Sequence, residues 1–249
     1  PILFPYAGKL TGGHFLAEDG KVYEGGQHGF ARDLEHRLVS QTANELTFEL
    51  TSGEETYAYF PYDFALRSTY TLEGRRISHS VAVRNTGKGT LRFGFGYHPG
   101  FALPFDDAHT AEDYDVVFDT IESPLCLNTA PNGLVCASPD YYLARNVDRI
   151  PLSAKLFAHD SHCMVNLKSK TMSVVERDTG HRIVVDIADF PYTLIWSTPQ
   201  EPMRFICIEP WHSIPSEDNG PIEWEKKPCA ASLAPNEMWQ TTLNMTFER

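Results

Sequence analysis

Cysteine is scarce and unpaired in pattern: the 249 residues hold five, at positions 126, 136, 163, 207 and 229, with no C-x-x-C spacing. An odd, scattered set encodes neither a disulfide framework nor a thiolate zinc site, so reduced core or surface thiols are expected. No stretch approaches the ~18 uninterrupted apolar residues of a membrane span. Pro1-Ile2-Leu3-Phe4-Pro5 lacks the basic flank and small-residue cleavage pattern of a signal peptide. Cations are outnumbered, 21 Lys and Arg against 33 Asp and Glu, giving a formal charge of −12. Such a balance argues against a phosphate-backbone partner or an anionic membrane surface, which need a dense cationic face, and leaves room only for a local basic site. A soluble, cytoplasmic protein with no nucleic-acid or membrane partner is expected. The ten histidines form no H-x-H, H-E-x-x-H or two-histidine-one-carboxylate pattern, and His159, Asp160 and His162 read as a solvated loop rather than metal ligands. There is no G-x-S-x-G elbow and no P-loop, and Gly94 and Gly96 lie in a strand without a following helix. No metal and no cofactor is expected.

A core is well supplied, with 42% hydrophobic and 12% aromatic residues, enough for one large domain. Turn signals recur about every eight to twelve residues between stretches that alternate apolar and polar, the pattern of an antiparallel β architecture. Phe64 to Leu72 and Arg75 to Arg84 form a hairpin at Glu73-Gly74, with Ile77, Val81 and Val83 on one face. Thr171 to Arg177 and His181 to Asp186 form another at Asp178-Thr179-Gly180. Further strands are expected at Arg37 to Gln41, Leu46 to Leu50, Leu91 to Phe101, Tyr114 to Thr120, Leu194 to Trp196, Phe205 to Glu209 and Met238 to Phe247. Helical turns are expected only near Ala154 to His159 and in the loop after Trp211. Proline and glycine, 17 each, are scattered, so residues 1–249 read as one all-β domain, a large antiparallel sandwich. The opening at Pro1, inside an apolar phrase, leads us to expect residues missing upstream.

Three phrases could carry chemistry. Arg204-Phe205-Ile206-Cys207-Ile208-Glu209-Pro210-Trp211 sets one carboxylate at the end of an apolar strand. Desolvation there would raise its pKa toward the range a general base needs; a solvated strand end, or pairing with Arg204, is the alternative. In Gly94-Phe95-Gly96-Tyr97-His98-Pro99-Gly100-Phe101, the proline confines the His98 backbone to extended conformations and aims its ring. A core histidine among aromatics is the other reading. Gly25-Gly26-Gln27-His28-Gly29-Phe30-Ala31-Arg32-Asp33 offers a histidine and an arginine on a glycine-rich turn, or else a surface loop with Arg32 and Asp33 solvated.

With Pro1-Ile2-Leu3-Phe4-Pro5-Tyr6-Ala7-Gly8-Lys9-Leu10 as an entry motif, these phrases in this order resemble the aldose 1-epimerase (galactose mutarotase) superfamily, in its LacX-like and glucose-6-phosphate 1-epimerase-like branch. The resemblance covers essentially the whole chain. It implies a galactose-mutarotase-type β-sandwich with a sugar in a cleft, Glu209 as general base, His98 as general acid, and His28 holding the sugar. Lys9 stands where the branch has arginine, which removes a planar two-pronged donor. Asp160 is the candidate for the family's further substrate-binding aspartate, and the family carries an N-terminal strand pair upstream of the entry motif. Tyr97, Phe101 and Trp211 could stack on a pyranose. Arg32 divides the substrate classes: aimed into the cleft it pairs with a sugar phosphate, whereas paired with Asp33 or Glu35 it leaves a neutral hexose.

The expected activity is interconversion of α and β anomers of a hexose, an isomerase reaction needing one acid and one base. Two alternatives stand beside it: a non-catalytic sugar-binding or sugar-sensing protein on the same fold, and an epimerase for hexose 6-phosphates. A lyase or hydrolase would require a tyrosine or metal arrangement, or a second carboxylate about 5 to 10 Å from Glu209, for which Asp186 and Asp189 are the nearby candidates.

Overall fold

The computed structural model describes residues 1–129 and 131–249. The chain forms two units, Pro1–Gly96 with His212–Asn244 and Tyr97–Trp211 with Met245–Arg249. It passes from one to the other after Gly96, Trp211 and Asn244, which lie inside strands or at a strand's last residue. No linker composition could mark such crossings, which is why none is visible in the sequence.

In the first unit a sheet runs in the order Arg37–Gln41, Glu45–Thr51, Phe64–Glu73, Arg76–Asn85, then residues 238–244 of the Met238–Glu248 strand. The expected hairpin is continuous from Phe64↔Asn85 to Glu73↔Arg76, closed at Gly74 with φ 60°, a left-handed conformation that glycine adopts without steric cost. Val81 and Val83 are fully buried, and His79 completes their face at 5% exposure. Its ring is satisfied locally, with Nε2 2.7 Å from Ser68 Oγ and a 3.9 Å stack on Tyr70. Two small antiparallel pairs, His14–Leu16 with Val22–Glu24 and Leu91–Phe93 with Ala231–Leu233, accompany this sheet. Phe4, Phe15, Phe60, Phe64, Phe93 and Trp224 make the unit's aromatic core: Phe4 meets Phe64 at 4.9 Å and Phe15 meets Trp224 at 4.6 Å. Each buried phenylalanine contributes about 1.5–3 kcal/mol of transfer free energy.

Among its described residues the second unit has two antiparallel sheets. One runs Gly100–Ala102, Phe205–Trp211, Tyr192–Trp196, His162–Val165, Leu125–Leu127, Tyr141–Tyr142. The other runs Val147–Pro151, Tyr114–Glu122, Thr171–Glu176, Arg182–Asp186 and the last residues of Met238–Glu248. Residues 206–211 are all buried, so that strand is covered on both faces, which accounts for its unbroken apolar run.

The expected strand from Leu91 to Phe101 is broken into Leu91–Phe93, Gly96–Tyr97 and Gly100–Ala102. Gly94 explains the first break: its N–H donates to the Pro5 carbonyl at 2.6 Å, and a Cβ there would sit 2.5 Å from Ser213 Oγ. The expected helical turns are 3-10 turns at Ala154–Phe157 and Trp224–Lys226, whereas 3-10 turns at Thr11–Gly13 and Ala111–Asp113 and an α-turn at Glu54–Tyr57 were not foreseen. All five cysteines are free thiols, three of them buried. Among the described residues no helix is long and apolar enough to cross a membrane.

Candidate functional site

Strand register builds the site in the second unit. Gly100 pairs with Cys207 and Phe101 with Ile206; two residues further along, this antiparallel register brings His98 level with Glu209. The imidazole Nε2 lies 3.4 Å from Glu209 Oε2, with side-chain exposures of 16% and 3%. The carboxyl is therefore closed off while the imidazole keeps an opening to solvent. On the other flank Leu194 pairs with Glu209 and Trp196 with Cys207. The Trp196 ring stands edge-on to His98 at 5.9 Å and 84°, and Trp196 is only half-buried. The imidazole, carboxylate and Cys207 thiol bring one ligand atom each within 4.8 Å of one another, a donor set that could also hold a divalent cation.

Burial pushes the Glu209 pKa well above the usual carboxylate range, and the Asp160 carboxylate adds to the shift by repulsion. Desolvation penalises the charged form and a neighbouring like charge penalises it again. The same burial raises the Cys207 and Cys163 thiols. Arg204 is exposed, so Glu209 is the desolvated carboxylate of the two alternatives.

Asp160 follows the Ala154–Phe157 turn in a left-handed conformation, φ 79°, with its N–H donating to the Phe157 carbonyl at 3.1 Å. The reading of His162 as part of a solvated loop is corrected: it is buried in the His162–Val165 strand. Its Nε2 lies 2.7 Å from the Leu156 carbonyl and its Nδ1 2.8 Å from the Tyr141 hydroxyl. A carbonyl only accepts, so Nε2 carries the proton and Tyr141 donates to Nδ1.

Trp211 is 2% exposed and its indole N–H donates to the Tyr97 carbonyl at 3.1 Å. Tyr97 is 1% exposed, its ring packed against Phe190, and Phe101 is also buried. These three rings pack into protein. Asp186 belongs to the other sheet of this unit and Asp189 is exposed.

The first unit holds the remaining expected residues. His28 sits on no loose surface loop: it is 6% exposed at φ 73°, and its backbone N–H donates to the Gly8 carbonyl at 2.8 Å. The Gly8 N–H in turn donates to His28 Nδ1 at 3.0 Å. Lys9 follows Gly8, and its carbonyl accepts from Ser216 N–H at 2.9 Å, so His28 and Lys9 are held by one short segment. Arg32 folds onto its own turn, donating from Nη2 to the Gln27 carbonyl at 3.1 Å, with Nε 3.7 Å from the Asp33 carboxylate.

The model of the aldose 1-epimerase family matches residues 1–220. The chain belongs to the aldose 1-epimerase family. It is 30% identical to the chromosomal protein LacX of Lactococcus lactis subsp. lactis over 254 residues, covering 99% of this chain and 84% of that protein. Its fold is similar to a galactose mutarotase related enzyme from Lactobacillus acidophilus, at TM-score 0.92 and 29% identity over 100% of this chain and 82% of that one. A galactose mutarotase-like protein from Lactobacillus casei ATCC 334 superposes at TM-score 0.87 with 25% identity, over 100% and 84% of the two chains. The fold is thus the all-β sandwich of galactose-mutarotase type. Within this aldose 1-epimerase family member, Trp196 beside His98 and His162 beneath the Asp160 turn escaped sequence reasoning. Trp196 carries no local motif, and only the strand register places it next to position 98.

Proposed function

We propose that this chain is an aldose 1-epimerase that interconverts the α and β anomers of a neutral hexose, with Glu209 as general base and His98 as general acid. The observation that supports it is the 3.4 Å approach of His98 Nε2 to Glu209 Oε2 on one buried strand register. Anomerisation requires a proton to leave O1 while another reaches O5. Both oxygens are bonded to the same carbon, so the two groups must stand side by side, as these do.

Glu209, ionised, takes the O1 proton while protonated His98 donates to O5. The C1–O5 bond breaks and C1 becomes an aldehyde. Rotation about C1–C2 presents the other carbonyl face, O5 attacks C1 and returns its proton to His98, and Glu209 returns the first proton to O1. Atoms and charges balance and the protein is regenerated. Each positioned proton transfer is worth about 10²–10⁴ in rate. The raised pKa of Glu209 makes its carboxylate a stronger base than a solvated one.

His28 and Lys9, held by the Gly8 segment, are proposed to bind sugar hydroxyls, and Asp160 to accept another. Trp196, half-buried beside His98, takes over the stacking role first assigned to Trp211. The pairing of Arg32 with Asp33 and with its own turn favours a neutral hexose over a hexose 6-phosphate. The test is a side-by-side measurement of mutarotation on fresh α-galactose, α-glucose and α-glucose 6-phosphate. Faster equilibration of the neutral sugars, unchanged in Arg32→Ala, supports the reading. Selective action on the phosphate, lost in that variant, moves the substrate class, and sugar binding with no acceleration at all makes the chain a sugar-binding protein.

A further inference from the structure

In the second unit, away from the His98–Glu209 pair, a second set of ligand-type side chains converges. Asp106, His109 and Glu176 bring one ligand atom each within 4.8 Å of one another. His109 Nδ1 is 2.7 Å from Asp106 Oδ1 and 3.4 Å from Glu176 Oε1. Donor atoms at bonds of about 2.1 Å stand about 3.0 Å apart on an octahedral ion and about 3.4 Å on a tetrahedral one, so these separations require only a small outward shift of Asp106. Asp106 is the exposed partner, its side chain at 48%, whereas His109 is at 14% and Glu176 at 0%.

The surroundings fix the ligands as the outer shell of a metal site does. The other imidazole nitrogen, Nε2, is 3.1 Å from Asp178 Oδ2, a carboxylate–histidine arrangement that leaves Nδ1 to face Asp106 and Glu176. Glu176 is oriented by the hydroxyls of Tyr114 and Thr179. His181 Nδ1 lies 3.5 Å from its second oxygen and supplies a further imidazole. The Asp106, Glu176 and Asp178 carboxylates surround the His109 imidazole, and a dication at Nδ1 takes the place of the proton that Nδ1 shares with Asp106.

We propose that Asp106, His109 and Glu176 bind a divalent first-row transition cation, with zinc as the probe, which ties the 106–109 loop to the turn after the Thr171–Glu176 strand. One imidazole with carboxylates is a borderline donor set that suits zinc, cobalt or manganese over magnesium or calcium.

The test is calorimetric titration of the full chain with zinc chloride at pH 7.5, alongside thermal melts. One ion per chain, an upward melting shift, and affinity at least tenfold weaker in both His109→Gln and Asp106→Asn are expected. Asp106 is exposed, so its variant keeps the fold, and circular dichroism checks it. Cys207→Ser reports the other trio, and an ion held at Asp106, His109 and Glu176 is insensitive to it. No binding at millimolar zinc, affinity unchanged in Asp106→Asn, or affinity lost in Cys207→Ser and kept in His109→Gln would each overturn the proposal.

Discussion

The negative charge of Asp160 reaches Glu209 and raises its pKa, adding to the desolvation that already holds this carboxyl well above the ordinary range. The base proposed here works only when ionised, so activity is expected to fall as pH drops through the raised pKa. Replacing Asp160 with asparagine removes the repulsion and leaves the burial. In Asp160→Asn the acid limb of kcat/KM against pH therefore moves to lower pH. The profile reports free-enzyme ionisations. An acid limb that stays in place or moves up would separate Asp160 from the base.

Glu209→Gln keeps size and hydrogen bonding but cannot accept a proton, and His98→Gln cannot deliver one. Each variant is expected to lose about 10²–10⁴ in kcat for mutarotation, a barrier increase of about 3–5 kcal/mol. Galactose affinity, measured by calorimetry, should change far less. In the proposed mechanism the two groups act in one step, so the double variant should lose much less than the product of the single losses. Multiplicative losses would mean that the two residues do not work on the same step.

Much of this arrangement was legible in the chain because local rules act alone there. The Phe64–Glu73 and Arg76–Asn85 hairpin follows from alternation plus one glycine at positive φ. Glu209 stood out because a lone carboxylate in an apolar strand must be desolvated or aimed. Side-chain direction was less visible. Trp211 looked available for stacking, yet its indole is engaged by the Tyr97 carbonyl, a contact 114 residues apart in sequence. His162 read as loop because its neighbours are polar, but pairing with Tyr192–Trp196 draws it into a sheet. Short strands such as Leu125–Leu127 and Tyr141–Tyr142 carry too few residues for a period to show, and they form through pairing rather than propensity.

Gly29 is held at φ 68°, where a Cβ would sit 2.2 Å from the Phe4 carbonyl oxygen. That oxygen accepts the N–H groups of Phe30 and Ala31 at 3.0 and 3.2 Å. Gly29→Ala adds about 1–2 kcal/mol of left-handed backbone strain and forces the Phe4 carbonyl away from its donors. A total loss of about 2–4 kcal/mol is expected, lowering the melting temperature by roughly 5–15 °C. The displaced turn carries His28, which we propose to hold the sugar, so sugar affinity should weaken in the fraction that remains folded. A melt within about 2 °C of the parent would show that the turn relaxes without cost.

Lys227 is 8% exposed, with Nζ donating to the Ile214 carbonyl at 3.0 Å and to Ser216 Oγ at 3.2 Å. Burial lowers its pKa to about 7, against about 10.4 in an unfolded chain. Between these values the unfolded state binds the extra proton, so unfolding free energy rises with pH from about 7 upward, by at most about 1.4 kcal/mol per unit. Below about pH 7 both states hold the proton and this contribution is flat. Lys227→Met removes the titration, so parent and variant should diverge in slope between pH 7 and 9 when stability is measured by urea unfolding at each pH. Other groups titrate in both proteins and cancel in the difference. Parallel slopes would mean that Lys227 stays charged in the folded state, with its ammonium compensated by the Ile214 and Ser216 oxygens alone.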